Sequence, residues 1–234
     1  MKQDQPRKPQ AGRGRPSKSE AGQNYKEAIL DAAEMLFAQH GLYGVSTRQV
    51  ASEVGVDVAL IHYYFGTKRA LFDAVFMRRA EILNRARMDS LDAYERQFAG
   101  ALTAEGAIDA FINPLIDASQ NGGPGWKSYF ALVAQVNNTP AWGGATMTRF
   151  FDPVVQRLIE VLKHAMPDTT YDELYWGYQF LTGAMTLALS ETGRIDLLSN
   201  GLCRSSDLDA VRRRLSRYCA AGICSLVEAA RSAA

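Results

Sequence analysis

The stretch GLYGVSTRQVASEVGVDVALIHYYFGTK, residues 41–68, decides the fold. It follows an amphipathic segment from Asn24 to Gln39 whose apolar positions Ile29, Ala32, Ala33, Leu36 and Phe37 fall three and four apart, as one face of a helix requires. Gly41 ends that helix, as glycine commonly does at a helix C-terminus. Ser46 and Gln49 have the spacing of a capping box, in which each side chain satisfies the other residue's backbone N–H. The short helix started there buries Val50, Ala51 and Val54. Gly55 breaks it, Val56 and Asp57 carry the turn, and a second short helix runs from about Val58 to Tyr64. Two short helices joined by a tight glycine-containing turn form a helix-turn-helix. Gly66 and Thr67 reset the chain, and a long helix begins at Lys68.

Beyond this point the apolar spacing remains helical. It predicts helices at about 68–90, 104–119, 125–137, 144–165, 170–193 and 207–231, with Pro124, Pro140 and Pro167 at breaks between them. No strand alternation and no internal repeat occurs, so the expected fold class is all-α. The expected organisation is a basic arm (1–22), a helix-turn-helix domain (23–68) and a larger helical domain (69–234).

Composition narrows the function classes. A hydrophobic content of 47% over 234 residues fits a folded chain and argues against a mainly disordered one. No apolar run is long enough to span a bilayer, and Met1 to Pro6 is not followed by the apolar core of a signal peptide, so a soluble, cytoplasmic protein without membrane partners is expected. Cys203, Cys219 and Cys224 lack zinc-ligand spacing and read as reduced thiols, with a redox-sensing pair as the alternative. His40, His62 and His164 stand in separate contexts. Together with the lack of a nucleophile motif or a phosphate-binding glycine loop, they argue against an enzyme, a metal site or a cofactor. The net charge of +1 advertises no nucleic-acid partner, but its distribution does. Up to Lys26 there are seven basic residues against Asp4 and Glu20. Within that arm, Arg13-Gly-Arg15-Pro16 suits a narrow minor groove, where an extended backbone can carry guanidinium groups inward.

The pattern from Gly41 to Gly55, followed by Ile61 to Lys68 and by Ala70-Leu71-Phe72, resembles the DNA-binding domain of the TetR family of bacterial transcription regulators. The resemblance covers roughly Tyr25 to Phe76. It implies three helices in a DNA-binding domain, about six in a ligand-binding and dimerisation domain, and a homodimer on a palindromic operator. It also places the third helix in the major groove, with Val58, Ala59, His62, Tyr63 and Tyr64 towards DNA. Thr47 and Arg48 at the start of the second helix, and Lys68 at the start of the fourth, suit backbone phosphates. Ile61 and Phe65 read as core. Leu60 departs from the family, which often has a polar residue there. The recognition helix also lacks Arg, Lys, Asn and Gln, the side chains that make bidentate base contacts. Readout is therefore expected to lean on thymine methyl groups, tyrosine hydroxyls, phosphates and the arm. Three consecutive aromatics cannot all face inward from one short helix, so at least one of Tyr63 and Tyr64 should be exposed.

The larger domain is rich in aromatics and methionines. Trp126, Tyr129, Phe130, Val133, Trp142, Met147, Phe150, Phe151, Trp176 and Phe180 are expected to line an apolar effector pocket, although each alone would equally suit an ordinary bundle core. The run from Trp126 to Val136, with Asn138-Thr-Pro140 and Phe150 to Val154, is similar to a regulatory-domain subgroup linked to fatty-acid or acyl-CoA metabolism. Aromatic or drug-like effectors, and an architectural DNA-binding protein with no effector, are the competing readings. The dimer seam is expected on the last two helices, at Leu181, Ala184, Met185, Leu208, Val211, Leu215 and Tyr218. An intramolecular core would show the same periodicity.

Overall fold

Every regular element among the described residues is helical. The computed structural model describes residues 18–140 and 142–233, with side-chain environments over 24–140 and 142–228. The helices are α1 (Lys18–Gly44), α2 (Thr47–Val54), α3 (Val58–Phe65), α4 (Lys68–Gln97), α5 (Ala104–Asn121), α6 (Pro124–Asn137), α7 (Gly143–Ala165), α8 (Tyr171–Leu189), α9 (Arg194–Leu198) and α10 (Leu208–Ala233).

The head, α1 to α3, is built by local signals. Gly41 breaks the end of α1 at φ 70° and ψ 172°. Ser46 caps α2: Gln49 N donates to Ser46 Oγ at 3.2 Å, and Ser46 N donates to Gln49 Oε1 at 2.8 Å. Gly55 ends α2 in the left-handed region, at φ 73° and ψ 34°, where a side chain would be strained. Asp57 caps α3, accepting from Ala59 N at 2.7 Å. It therefore starts the second helix as well as occupying the turn.

Several boundaries differ from the sequence reading. α1 begins at Lys18, inside the segment assigned to the arm. α4 continues to Gln97 because its last turns are held by other elements. Arg157 of α7 donates to Asp92 at 2.8 Å and to Glu95 at 2.5 Å, and Thr103 N donates to the Tyr94 hydroxyl at 2.9 Å. The expected helix at 170–193 stops at Leu189, and the short α9 follows it. Gly193 turns there at φ 71°, and Ser205 N donates to Asp196 Oδ2 at 2.8 Å.

The body wraps α4 with α5, α6 and α7, and adds α8 and α10 as an outer pair. Close approach of that pair depends on Gly177, since a Cβ there would lie 2.6 Å from Ile223 Cγ1. Head and body share one continuous apolar core. Its spine is aromatic: Phe37 of α1 meets Phe72 of α4 edge-on at 5.4 Å, Phe72 stacks on Phe76 at 6.0 Å, and Phe76 meets Tyr129 and Phe151 at 5.6 and 5.8 Å. Polar clamps flank this spine. Buried Glu34 of α1 accepts from Arg78 at 2.6 Å and from Arg79 at 2.8 Å, both on α4. Gln135 of α6 donates to Ala38 O at 2.5 Å.

Candidate nucleic-acid interface and ligand cavity

The outer face of α3 is set by which residues its head cannot bury. Ile61 is buried, while Val58, Leu60, Tyr64 and Phe65 are half-buried against the core. Ala59, His62 and Tyr63 face outward, and Tyr63 is 81% exposed. Of the five residues expected towards DNA, Val58 and Tyr64 are thus shared with packing. Leu60 resolves its departure from the family in the same way, as a core contact. The His62 ring donates from Nδ1 to Gly66 O at 2.9 Å, since a carbonyl can only accept, and this leaves Nε2 outward.

Arg48 is exposed and Thr47 half-buried at the start of α2, where free backbone N–H groups favour an anion. Lys68 is a structural tie, since its ammonium donates to Val45 O at 3.0 Å and so fastens the start of α4 to the entry of α2. Arg13 and Arg15 lie outside the described residues.

A cavity of about 40 Å³ lies in the body between α4, α5, α6, α7 and α8. Tyr129, Phe130, Val133, Met147 and Phe151 line it, as expected from the sequence. The other five expected pocket residues sit elsewhere. Trp126 is buried against its neighbours, with the Arg79 guanidinium 4.9 Å from its ring centre. Phe150 packs on Phe76 at 5.6 Å. Trp142 stands at the joint of head and body, edge-on to Phe72 at 5.3 Å and 4.9 Å from the Arg69 guanidinium. Trp176 and Phe180 are on the outside of α8, 59% and 58% exposed, with their rings stacked at 5.9 Å.

The cavity also has lining residues the sequence reading omitted: Leu83 and Arg87 of α4, Leu115 of α5, Asn137 of α6, and Tyr178, Thr182, Thr186 and Leu189 of α8. Their signal was present. Arg87 lies between Leu83 and Leu91 at helical spacing, and Tyr178, Thr182, Met185 and Leu189 form one stripe.

The dimer-seam residues need a similar correction. Leu181, Leu208 and Leu215 are buried within the protomer's own core, Met185 lines the cavity, and Ala184 and Val211 pack partly against that core. Of the seven, Tyr218 alone is well exposed. α8 carries two apolar stripes, and the aliphatic one faces inward. The outward stripe is Trp176, Phe180 and Leu187, and α10 exposes Tyr218 and Leu226. Gly183 and Gly222 lie open on these faces, with nothing within 4 Å of the position a Cβ would take. α9 and its exit add the exposed Leu197, Leu198 and Leu202.

Two family models match this chain. Residues 29–75 match the bacterial regulatory proteins of the tetR family, and residues 109–222 match the tetracyclin repressor-like C-terminal domain. Together they span more than half of the sequence.

The chain belongs to the TetR family.

Its TetR-family relatives are transcription regulators. The HTH-type transcriptional regulator RutR of Escherichia coli is 35% identical over 96 residues, 41% of this chain and 42% of that protein. The dual regulator CecR of Shigella flexneri is 29% identical over 97 residues, 42% of this chain and 43% of that protein. Each alignment thus takes in less than half of the relative. The TetR-like fold extends over nearly the whole chain. The fatty acid degradation regulator FadR from Bacillus halodurans has a TM-score of 0.58 at 14% identity, covering 85% of this chain and 95% of its own. FadR from Bacillus subtilis, solved in complex with stearoyl-CoA, has a TM-score of 0.58 at 13% identity, covering 84% and 98%. Among the described residues no helix is long and apolar enough to cross a membrane, and no group of three or more His, Cys, Asp or Glu gathers as a metal site. Burial pushes the Cys219 thiol up, away from the thiolate a redox sensor needs.

Proposed function

We propose that this chain is a ligand-responsive transcriptional repressor, a homodimer that binds a palindromic operator and is released when a small apolar effector fills the cavity. Helix α4 carries this reading. It begins at Lys68 against the head and lines the cavity at Leu83 and Arg87. A rise of about 1.5 Å per residue puts roughly 28 Å of helix between the two ends. A ligand that shifts α4 therefore moves the joint at Arg69 and Trp142 and, through it, α3. The ligand must bind the released conformation more tightly than the DNA-bound one, because equal affinity for both shifts nothing.

In this reading the dimer uses the outward faces of α8 and α10. The exposed aromatic and aliphatic patch supports that choice, and the open glycines allow close helix approach. A single small helix-turn-helix binds weakly, whereas two set by a two-fold axis read a palindrome. Fatty acids and acyl-CoA are the effector class to try first. The stearoyl-CoA held by the Bacillus subtilis protein supports that choice, since the fold is shared. A cavity of about 40 Å³ must open to admit an acyl chain, and the flexible Met147 and Met185 in its wall allow this.

The DNA-binding part is tested by selecting sequences from a random duplex library with the full-length protein. The selected sites should be palindromic. Tyr63→Ala should then weaken binding to the selected site by about tenfold or more, the effect of losing one specific base contact. Arg48→Ala should weaken all sequences alike and lower the salt slope by about one ion. Both variants should keep wild-type helicity, as both side chains project into solvent. Unchanged affinity of Tyr63→Ala would remove α3 from the interface.

A further inference from the structure

The cavity wall contains a cation with no counter-ion among the described residues. Arg87 is 4% exposed, on the inward face of α4. Its Nε donates to Phe111 O at 3.2 Å, and its guanidinium carbon lies 3.5 Å from the centre of the Phe111 ring. Among the described residues no carboxylate pairs with it, whereas Arg69, Arg78, Arg79, Arg149, Arg157 and Arg212 each meet one. Among the described residues, the one of its five N–H donors that is engaged is Nε–H.

Two more donors face the same space. The Tyr129 hydroxyl and the Thr182 hydroxyl are buried without a hydrogen-bond partner among the described residues, and both residues line the cavity. A polar atom in such a place is costly unless something pairs with it. Burial pushes the Tyr129 phenol up, so it keeps its proton and can donate. Burial likewise pushes the Arg87 guanidinium down, to about 10, with Tyr178 and Tyr129 acting the other way, so Arg87 remains a cation at neutral pH.

We propose that the cavity is a carboxylate site: its ligand is a small free acid whose carboxylate is held by Arg87, Tyr129 and Thr182, with its apolar body against Val133, Met147, Phe151 and Met185. This rests on the reading of the cavity as the effector site, and it names the effector's chemical class. One buried cation is balanced by one negative charge. A phosphate dianion would leave an unpaired charge in an apolar enclosure, which is the costlier arrangement. A CoA thioester presents a neutral carbonyl to the guanidinium, and its charged nucleotide has no counterpart in this wall. The free acid satisfies the cation and both hydroxyls at once. Because Arg87 belongs to α4, the carboxylate would act directly on the helix that reaches the head.

Calorimetric titration of the full-length protein tests this, with butanoic, octanoic, hexadecanoic and benzoic acids, methyl octanoate and octanoyl-CoA as probes. At least one acid should bind, and octanoate should bind about 100-fold more tightly than its methyl ester, the scale of a charge left unpaired in a buried site. Arg87→Met should remove that margin, weakening octanoate about 100-fold while leaving the ester unchanged or tighter. Tyr129→Phe and Thr182→Val each delete a single hydroxyl and should weaken octanoate about tenfold. They carry the test if Arg87→Met does not fold. The proposal is overturned if the ester or octanoyl-CoA binds as tightly as the acid, if no acid in the panel binds, or if the folded variants bind octanoate like the wild type. An acid that binds through Arg87 yet leaves DNA affinity unchanged would uphold the carboxylate site and remove its role as effector site.

Discussion

Phe180→Asp should turn the protein into a monomer at micromolar concentration, with its helicity intact. In the protomer Phe180 is 58% exposed, and its ring partner is Trp176. The folded monomer therefore loses little. In a two-fold dimer the same change occurs twice and sets carboxylates into an apolar seam. Central aromatic anchors are worth about 2 kcal/mol or more each, so the dimer constant should weaken by roughly 10³-fold or more. Sedimentation velocity reads the mass, and the monomer should bind a palindromic site only weakly. Leu215→Glu makes the contrast, because Leu215 is buried inside the protomer and its replacement should unfold the chain. A Phe180→Asp protein that sediments as a dimer would move the interface off α8.

Glu34→Gln should produce a large loss of stability. Glu34 is 2% exposed and receives two guanidinium groups, Arg78 at 2.6 Å and Arg79 at 2.8 Å. Removing its charge leaves both cations facing a neutral amide in a mostly buried joint. Asp31 still holds Arg78 at 2.8 Å, so the cost falls towards the lower end of that for a broken buried pair, about 2–4 kcal/mol. For a chain of this size that lowers the melting temperature by about 5–12 °C. Urea denaturation at fixed protein concentration measures it. A midpoint shift equivalent to less than about 0.5 kcal/mol, the scale of an ordinary surface change, would mean that α1 is held to α4 by its aromatic contacts alone.

These expectations rest on features of unequal visibility in the sequence. The head was legible because its signals are local: Ser46 and Gln49 cap α2 in sequence as in space, and Gly55 has one conformational reason to be there. The fold class followed from helical spacing alone. The body was legible as helices but not as faces. α8 has an inward stripe through Leu174, Tyr178, Leu181 and Met185, three and four apart, and an outward one through Trp176, Phe180 and Leu187, four and seven apart, and both are helical spacings. Periodicity cannot say which stripe meets the protomer's own core; burial tells them apart. Trp142 was misplaced for another reason. Its partners Phe72 and Arg69 lie some seventy residues earlier, and no local pattern links them. Arg87 was passed over because an arginine in a long polar helix is ordinarily solvated. Its neighbours Leu83 and Leu91, one turn away on either side, show that this one faces inward.

A coupling between the cavity and the DNA-reading face must be reciprocal, because each ligand changes the other's affinity by the same factor. The measurement pairs two titrations on wild-type protein: selected operator DNA with and without saturating acid, and the acid with and without saturating operator. The acid should weaken DNA binding, and DNA should weaken acid binding by the same factor. A factor of about 5–150 is the usual range for such coupling. An operator affinity that stays the same when the cavity is saturated would contradict it.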